Sequence, residues 1–128
     1  MSNRVIHFEI QADNIERARD FYKKAFGWQI EKYKGEAPME YFMVMTGNDD
    51  EPGINGGMYQ RPTDNQAKMF DCTIQVDNID VAIEAVKSNG GTITIGKNEL
   101  PNVGFFARAV DTEGNTFAIM QPTGWQPK

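Results

Sequence analysis

The sequence is short of several things, and each shortage excludes something. It has one cysteine, Cys72, in 128 residues, so no internal disulfide can form and a four-thiolate zinc site is ruled out. His7 is the only histidine. No apolar run approaches the roughly 20 residues that a membrane-spanning helix requires. Met1-Ser2-Asn3-Arg4 leads straight into a strand-like run, without the apolar core or small-residue cleavage site of a signal peptide, so a cytoplasmic location is expected. Basic residues are in deficit, 13 Lys and Arg against 18 Asp and Glu, for a formal charge of −5. A field of that sign repels nucleic acid and anionic membranes. The densest basic cluster, Arg17, Arg19, Lys23 and Lys24, is interleaved with Glu16 and Asp20 and reads as a solvated helix face. Neither nucleic acid nor membrane is an expected partner. Hydrophobic residues at 40% and charged residues at 24% are ordinary globular usage, and the length fits one domain.

What the chain does have is an internal repeat. Ile10-Gln11-Ala12-Asp13-Asn14-Ile15-Glu16 returns 64 positions later as Ile74-Gln75-Val76-Asp77-Asn78-Ile79-Asp80, and the same displacement pairs Ala18 with Ala82 and Gly27 with Gly91. A self-match in one register means duplicated supersecondary units.

Each copy opens with alternation. Val5, Ile6, Phe8 and Ile10 surround His7, Glu9 and Gln11, and Phe70 to Val76 alternates likewise around Asp71, Thr73 and Gln75. The pattern predicts strands with one core face and one polar face. Asp13 then caps a helix, with Glu16 completing a capping box. Ile15, Ala18, Tyr22 and Ala25 form its apolar stripe, Phe21 and Phe26 widen it, and Gly27 ends it. Ile79, Ala82, Ile83 and Val86 repeat the stripe before Asn89-Gly90-Gly91. Three strand-like runs follow each helix: Trp28–Tyr33, Glu40–Met45 and Gly53–Gln60, then Thr92–Gly96, Gly104–Val110 and Asn115–Gln121. Each unit is βαβββ. Module one spans about 4–60, a linker about 61–68, module two about 69–122 and a tail 123–128. Units of about 60 residues are marginal alone, so one shared core is expected.

Asp-Asn-Ile-Glu-Arg-Ala-Arg-Asp-Phe-Tyr-Lys-Lys-Ala-Phe-Gly-Trp (13–28), after a first strand carrying His7, resembles the vicinal oxygen chelate superfamily of glyoxalase I, bleomycin-resistance proteins and extradiol dioxygenases. Asp-Thr-Glu-Gly-Asn-Thr-Phe-Ala-Ile-Met-Gln-Pro (111–122) resembles that superfamily's last hairpin and strand. The likeness runs from about Arg4 to Pro122 and is closest to small single-domain, glyoxalase-like members. It implies an α+β fold of two tandem βαβββ modules forming a curved, eight-stranded mixed sheet around a cavity. It also implies that single-chain members pair, so a homodimer is expected.

The superfamily commonly holds a divalent metal with four side chains, one from the first and one from the last strand of each module. His7 falls at the first position, and Asp71 stands where many members have histidine. Matching Pro62 with Pro122 places Met58 and Ala118 where the family usually has Glu or a similar donor. Two donors of four are then missing. Glu9 shares the face of His7, so His7, Glu9 and Asp71 are the candidate catalytic or metal-binding set, with either no cofactor or a divalent metal. Gln11, Met58, Thr73, Phe105 and Ala118 are candidates to line a pocket for a small-molecule ligand. Cys72 should point away from Asp71 as a small buried hydrophobe. Gly53-Ile-Asn-Gly-Gly57 lacks a following Lys-Ser/Thr and precedes a strand, so bulge or close-packing glycines explain it better than a phosphate loop. The aromatic and methionine residues from Tyr41 to Tyr59, with Phe105 and Phe106, read mostly as core.

Three functions fit. One is a glyoxalase-like lyase, isomerase or dioxygenase-type enzyme acting on a small oxygenated metabolite. Another is a protein that sequesters a small molecule without turnover, as bleomycin-resistance proteins do. The third is an interaction module without small-molecule activity.

Overall fold

The computed structural model describes residues 3–64 and 68–125. Its elements run β1 (Val5–Ala12), α1 (Ile15–Phe26), β2 (Gln29–Lys32), β3 (Tyr41–Met45), β4 (Gly56–Gln60), β5 (Phe70–Gln75), α2 (Ile79–Ser88), β6 (Thr92–Leu100), β7 (Gly104–Val110) and β8 (Thr116–Pro122). This is βαβββ twice over. The eight strands are ordered β2-β3-β4-β1-β5-β8-β7-β6 in one mixed sheet. β1 pairs parallel with β4, and β5 with β8, while the remaining pairs within each module are antiparallel. None of the described helices is long and apolar enough to cross a membrane.

Two compact units divide the chain: residues 7–70, and residues up to Ile6 together with those from Asp71 onward. β1 contributes to both. Its leading residues belong with the second module, where Asn3 N–H donates to the Gln75 carbonyl and Gln75 N–H to that of Arg4.

In the first unit the strands turn Phe8, Ile10, Ala12, Ile30, Phe42, Val44 and Met58 onto one face, where Ile15, Ala18 and Tyr22 of α1 cover them. α1 starts at Asn14, whose side chain accepts from Arg17 N–H, and it stops at Gly27, held left-handed at φ 76°. That turn lays Trp28 flat on Tyr22, ring centroids 5.0 Å apart. Arg19 reaches inward from the basic face to donate twice to the Ile30 carbonyl, at 3.0 and 2.7 Å.

The second unit repeats the plan with Val76, Ile79, Ala107 and Ile119 buried, and Ala82, Ile83, Phe105 and Phe117 packed on them. Asn78 caps α2 by accepting from Val81 N–H. Past β8, Thr123, Gly124 and Trp125 N–H all point to the Val103 carbonyl. Residues 126–128 of the expected tail, and 65–67 of the expected linker, lie outside the described residues.

Local expectations differ from this in a few places. The N-cap is Asn14, because Asp13 is drawn into an ion pair with Arg61, and Glu16 pairs with Arg19 instead of closing a capping box. β4 begins at Gly56, and β6 runs on through Leu100 with register shifts between Ile93 and Asn98 that absorb its extra length. Phe21 and Phe26 were expected in the apolar stripe but are 58% and 65% exposed, because α1 rests on its Ile15, Ala18 and Tyr22 side alone. Cys72 is exposed, not buried.

Asn14→Ala and Asn78→Ala should each lower stability by about 1 kcal/mol through loss of a cap. Met58→Ala should cost about 2–5 kcal/mol, the price of an unfilled core position. Urea unfolding of the three variants checks both figures, and a near-neutral Met58→Ala would remove Met58 from the core.

Candidate functional site

Alternation gives β1 two faces. Phe8, Ile10 and Ala12 are buried toward α1, and His7, Glu9 and Gln11 stand half-buried on the other side. Register fixes their neighbours. Glu9 is opposite Gly57 and Gln11 opposite Tyr59 on β4, and those two are opposite Met43 and Tyr41 on β3.

Tyr41 does not stay in its own row. Its ring lies across Gly57, so closely that a Cβ there would overlap the phenol oxygen. The Gly57 backbone has no positive φ. The position is therefore glycine to make room for the ring, not to turn the chain. Over this gap the hydroxyl meets two groups of β1. Tyr41 O–H donates to Glu9 Oε2 at 2.8 Å, and His7 Nε2 lies 2.8 Å from the same phenol oxygen. A hydroxyl has one proton. With it committed to Glu9, the phenol oxygen must accept, so His7 carries its proton on Nε2 and the lone pair of its neutral ring is on Nδ1.

Electrostatics agree with that assignment. Burial lowers the His7 pKa to about 4. The Glu9 carboxylate, 3.9 Å away, would favour the imidazolium, but desolvation outweighs it and the ring is neutral at pH 7. Tyr41 moves the other way: burial first, then the negative charge of Glu9, raise its pKa well above that of an ordinary phenol. It remains a hydroxyl. Beside this chain, Gln11 Nε2 donates to the Tyr59 hydroxyl at 2.8 Å, and the Tyr59 and Tyr41 rings stack 6.4 Å apart.

The second module has another arrangement at the repeated positions. Asp71 and Thr73 are buried, Thr73 is opposite Ala118, and Ala118 is opposite Arg108. The Arg108 guanidinium donates to Asp71 Oδ2. Among the described residues Asp71 Oδ1 is buried without a hydrogen-bond partner, so this carboxylate has the capacity to accept one more donor.

Two candidate lining residues lie elsewhere. Matching the prolines set Met58 level with Ala118. In the hydrogen-bonded ladder it is Gly57 that faces Glu9 as Ala118 faces Thr73, while Met58 faces Ile10 and is fully buried in the core. A one-residue slip exchanges the faces of a strand. Phe105 likewise packs on the second module's core, with the Lys97 ammonium 4.7 Å from its ring centroid, and Phe106 alternates to the side of Arg108. Sequence reasoning missed Tyr41, Gly57 and Arg108. The available signal was the Gly56-Gly57 pair inside a strand, which marked a close approach without saying of what. A surface cleft of about 390 Å³ opens where β1 meets α1, lined by Gln11, Asn14, Arg17 and Phe21 among others, and it does not include His7, Glu9 or Tyr41.

A divalent cation needs converging donors. Among the described residues no three His, Cys, Asp or Glu side chains form such a group. His7 and Glu9 both bond the phenol, Asp71 is paired with Arg108, and positions 57 and 118 have no donor atom. These residues do not fit a divalent ion.

Known proteins resemble this chain along its length. The sequence profile of the Glyoxalase/Bleomycin resistance protein/Dioxygenase superfamily matches residues 4–119. A glyoxylase-like domain-containing protein from Didymella fabae is 34% identical over 125 residues, covering 91% of each chain. Among solved structures, hypothetical protein BH1468 from Bacillus halodurans C-125 superposes with a TM-score of 0.73 at 14% identity, covering both chains fully. A Streptomyces coelicolor methylmalonyl-CoA epimerase variant, in complex with 2-nitronate-propionyl-CoA, does so with a TM-score of 0.71 at 10% identity, again over both whole chains. At such identities the likeness is one of fold.

The His7 shift has a consequence for stability. The folded ring titrates near 4 and an unfolded histidine near 6.5, so between those values the unfolded chain binds more protons. The contribution of neutral His7 is fully present above pH 6.5 and is lost as the pH falls to 4, a change of about 3 kcal/mol. Urea unfolding of the wild type and His7→Gln from pH 7.5 to 4 should show a steeper acid loss in the wild type. Parallel curves would mean that His7 titrates normally.

Proposed function

The chain belongs to the Glyoxalase/Bleomycin resistance protein/Dioxygenase superfamily, and on that footing we propose that it binds a small oxygenated metabolite on the polar face of its first module and transfers a proton there, as a glyoxalase-like enzyme of the isomerase or lyase kind. The observation carrying this reading is the half-buried chain from His7 through the Tyr41 hydroxyl to Glu9. Buried polar groups that are linked this way keep a fixed orientation.

The chemistry follows from what each group can do. A ligand carbonyl that takes over the Tyr41 hydrogen bond leaves Glu9 Oε2 open to accept a proton from the adjoining carbon. The C–H electron pair becomes the C=C bond of an enolate as the C=O π pair moves onto the oxygen, opposite the Tyr41 donor. Return of the proton from Glu9 to carbon reverses both shifts and restores both groups. Neutral His7 holds the phenol from its other side. Gln11 and Tyr59 border the face, and Met43 extends it. That one structural neighbour is an epimerase bound to an acyl-CoA analogue is compatible with proton transfer next to a carbonyl.

Sequestration without turnover is the second reading, favoured by the absence of a donor atom at Gly57 and Ala118. Pairing with a second copy of the chain belongs to either reading, and sedimentation equilibrium measures it.

The test is hydrogen exchange. Metal-stripped protein in D2O, incubated with a panel of small 2-oxo acids, 2-hydroxyketones and acyl thioesters, should catalyse washout of the proton beside the carbonyl, followed by NMR. Glu9→Gln should slow that washout by about 100-fold or more. Saturable binding with no exchange would favour sequestration, and an exchange rate unaffected by Glu9→Gln would remove Glu9 as the base.

A further inference from the structure

Two side chains with metal-binding chemistry, His7 and Glu9, stand two residues apart on one strand face with Nε2 and Oε2 3.9 Å apart. With bonds of about 2.0–2.2 Å to each ligand atom, that separation is wider than a coordination edge, so an ion would need the two side chains to close together. What lies between them is a phenol oxygen, 2.8 Å from each. It arrives there from β3, and only because β4 has no side chain at Gly57.

We infer that Gly57 and Tyr41 act together as a lock: the glycine removes a side chain from the place nearest Glu9, the phenol fills that place, and the His7–Glu9 pair is thereby a closed hydrogen-bonded relay that excludes divalent cations. The inference rests on the proposed site but concerns metal exclusion, which ligand binding does not require. Three features support it. The hydroxyl satisfies the facing atoms of both would-be ligands, so an ion must break two hydrogen bonds before it gains a donor. The ring occupies the volume in which a third donor, on residue 57, would have to stand. Finally, the second module fills its corresponding place in the same manner with different chemistry. Ala118, level with Gly57 in the repeat, has no donor, and the long side chain of Arg108 from the neighbouring strand reaches Asp71. There a fixed cation sits against the carboxylate, so a second cation meets repulsion.

Tyr41 is then a positioning residue as well as a donor: it fixes the His7 tautomer and the Glu9 rotamer. Tyr41 carries no signal of this role in the sequence, and Gly57 signals only that something approaches it closely.

The experiment uses the metals alone, with no ligand. Long-range 15N–1H spectra of the wild type should show the His7 proton on Nε2, and the ring resonances should not move on adding stoichiometric Zn2+. Thermal denaturation with Zn2+, Mn2+ or Ni2+ should leave the wild-type midpoint unchanged. Tyr41→Ala with Gly57→Glu opens the lock and supplies a third donor. It should bind Zn2+ at least about tenfold more tightly than the wild type, and His7→Ala in that background should abolish the gain. A wild-type His7 protonated on Nδ1, or shifting with sub-stoichiometric Zn2+, overturns the inference. So does a double variant that is folded by circular dichroism yet gains no metal affinity. If the double variant does not fold, the wild-type spectra decide. Proton exchange by the metal-stripped wild type is a separate readout, so the lock and the proposed function fail independently.

Discussion

Everything at the candidate site depends on the parallel pairing of β1 with β4. In that register Glu9 faces Gly57 and Ile10 faces Met58, so one strand places the glycine under the phenol and the next residue in the core. A slip by one position would put the Met58 side chain where the Tyr41 ring lies and a hole where Met58 packs. The register is held from the apolar side. Phe8, Ile10 and Met58 are all buried, each worth roughly 1.5–3 kcal/mol relative to exposure. The polar face inherits its geometry from packing it takes no part in.

The two modules keep what folding needs and differ in what chemistry would use. The repeated identities at Ile10 and Ile74, Asn14 and Asn78, and Ile15 and Ile79 are core or helix-cap positions, and in the structure they play those parts twice. On the polar face His7 corresponds to Asp71, Glu9 to Thr73 and Gly57 to Ala118, with no identity among them. Both faces nonetheless answer one constraint, the cost of burying polar groups without partners. The first module answers with a neutral histidine, a protonated phenol and a carboxylate in series. The second answers with an ion pair that leaves one carboxylate oxygen of Asp71 over.

Much of the fold was legible because it is written in periodicities. Alternation marked β1 and β5, and the internal repeat supplied the βαβββ plan and the eight strands. Locally, the choice of Asn14 over Asp13 as cap was not legible, since either side chain can accept from the first turn and only the position of Arg61 decides between them. His7, Glu9 and Gln11 could be placed on one face by counting in twos. Their partners could not, because Tyr41 lies 32 residues from Glu9 and leaves its own row to reach it. Met58 shows the same limit. Aligning Pro62 with Pro122 is wrong by one residue at the site, and in a strand one residue is the difference between core and surface.

A phenol in this place implies a particular strength of chemistry. A divalent ion stabilises a developing oxyanion by several kcal/mol through its charge. Tyr41 offers one hydrogen bond, and with its pKa raised by burial and by Glu9 it is a donor that holds its proton, not an acid that gives it up. The net worth of such a bond to a charged acceptor is about 1.5–3 kcal/mol. On the proposed reading the site therefore suits carbon acids whose own substituents already delocalise the charge, where orientation and a fixed base matter more than Lewis acidity. The same weakness makes simple retention of a ligand the natural competing use of this face: a donor and an acceptor held at fixed positions bind a hydroxy-carbonyl group well whether or not a proton then moves.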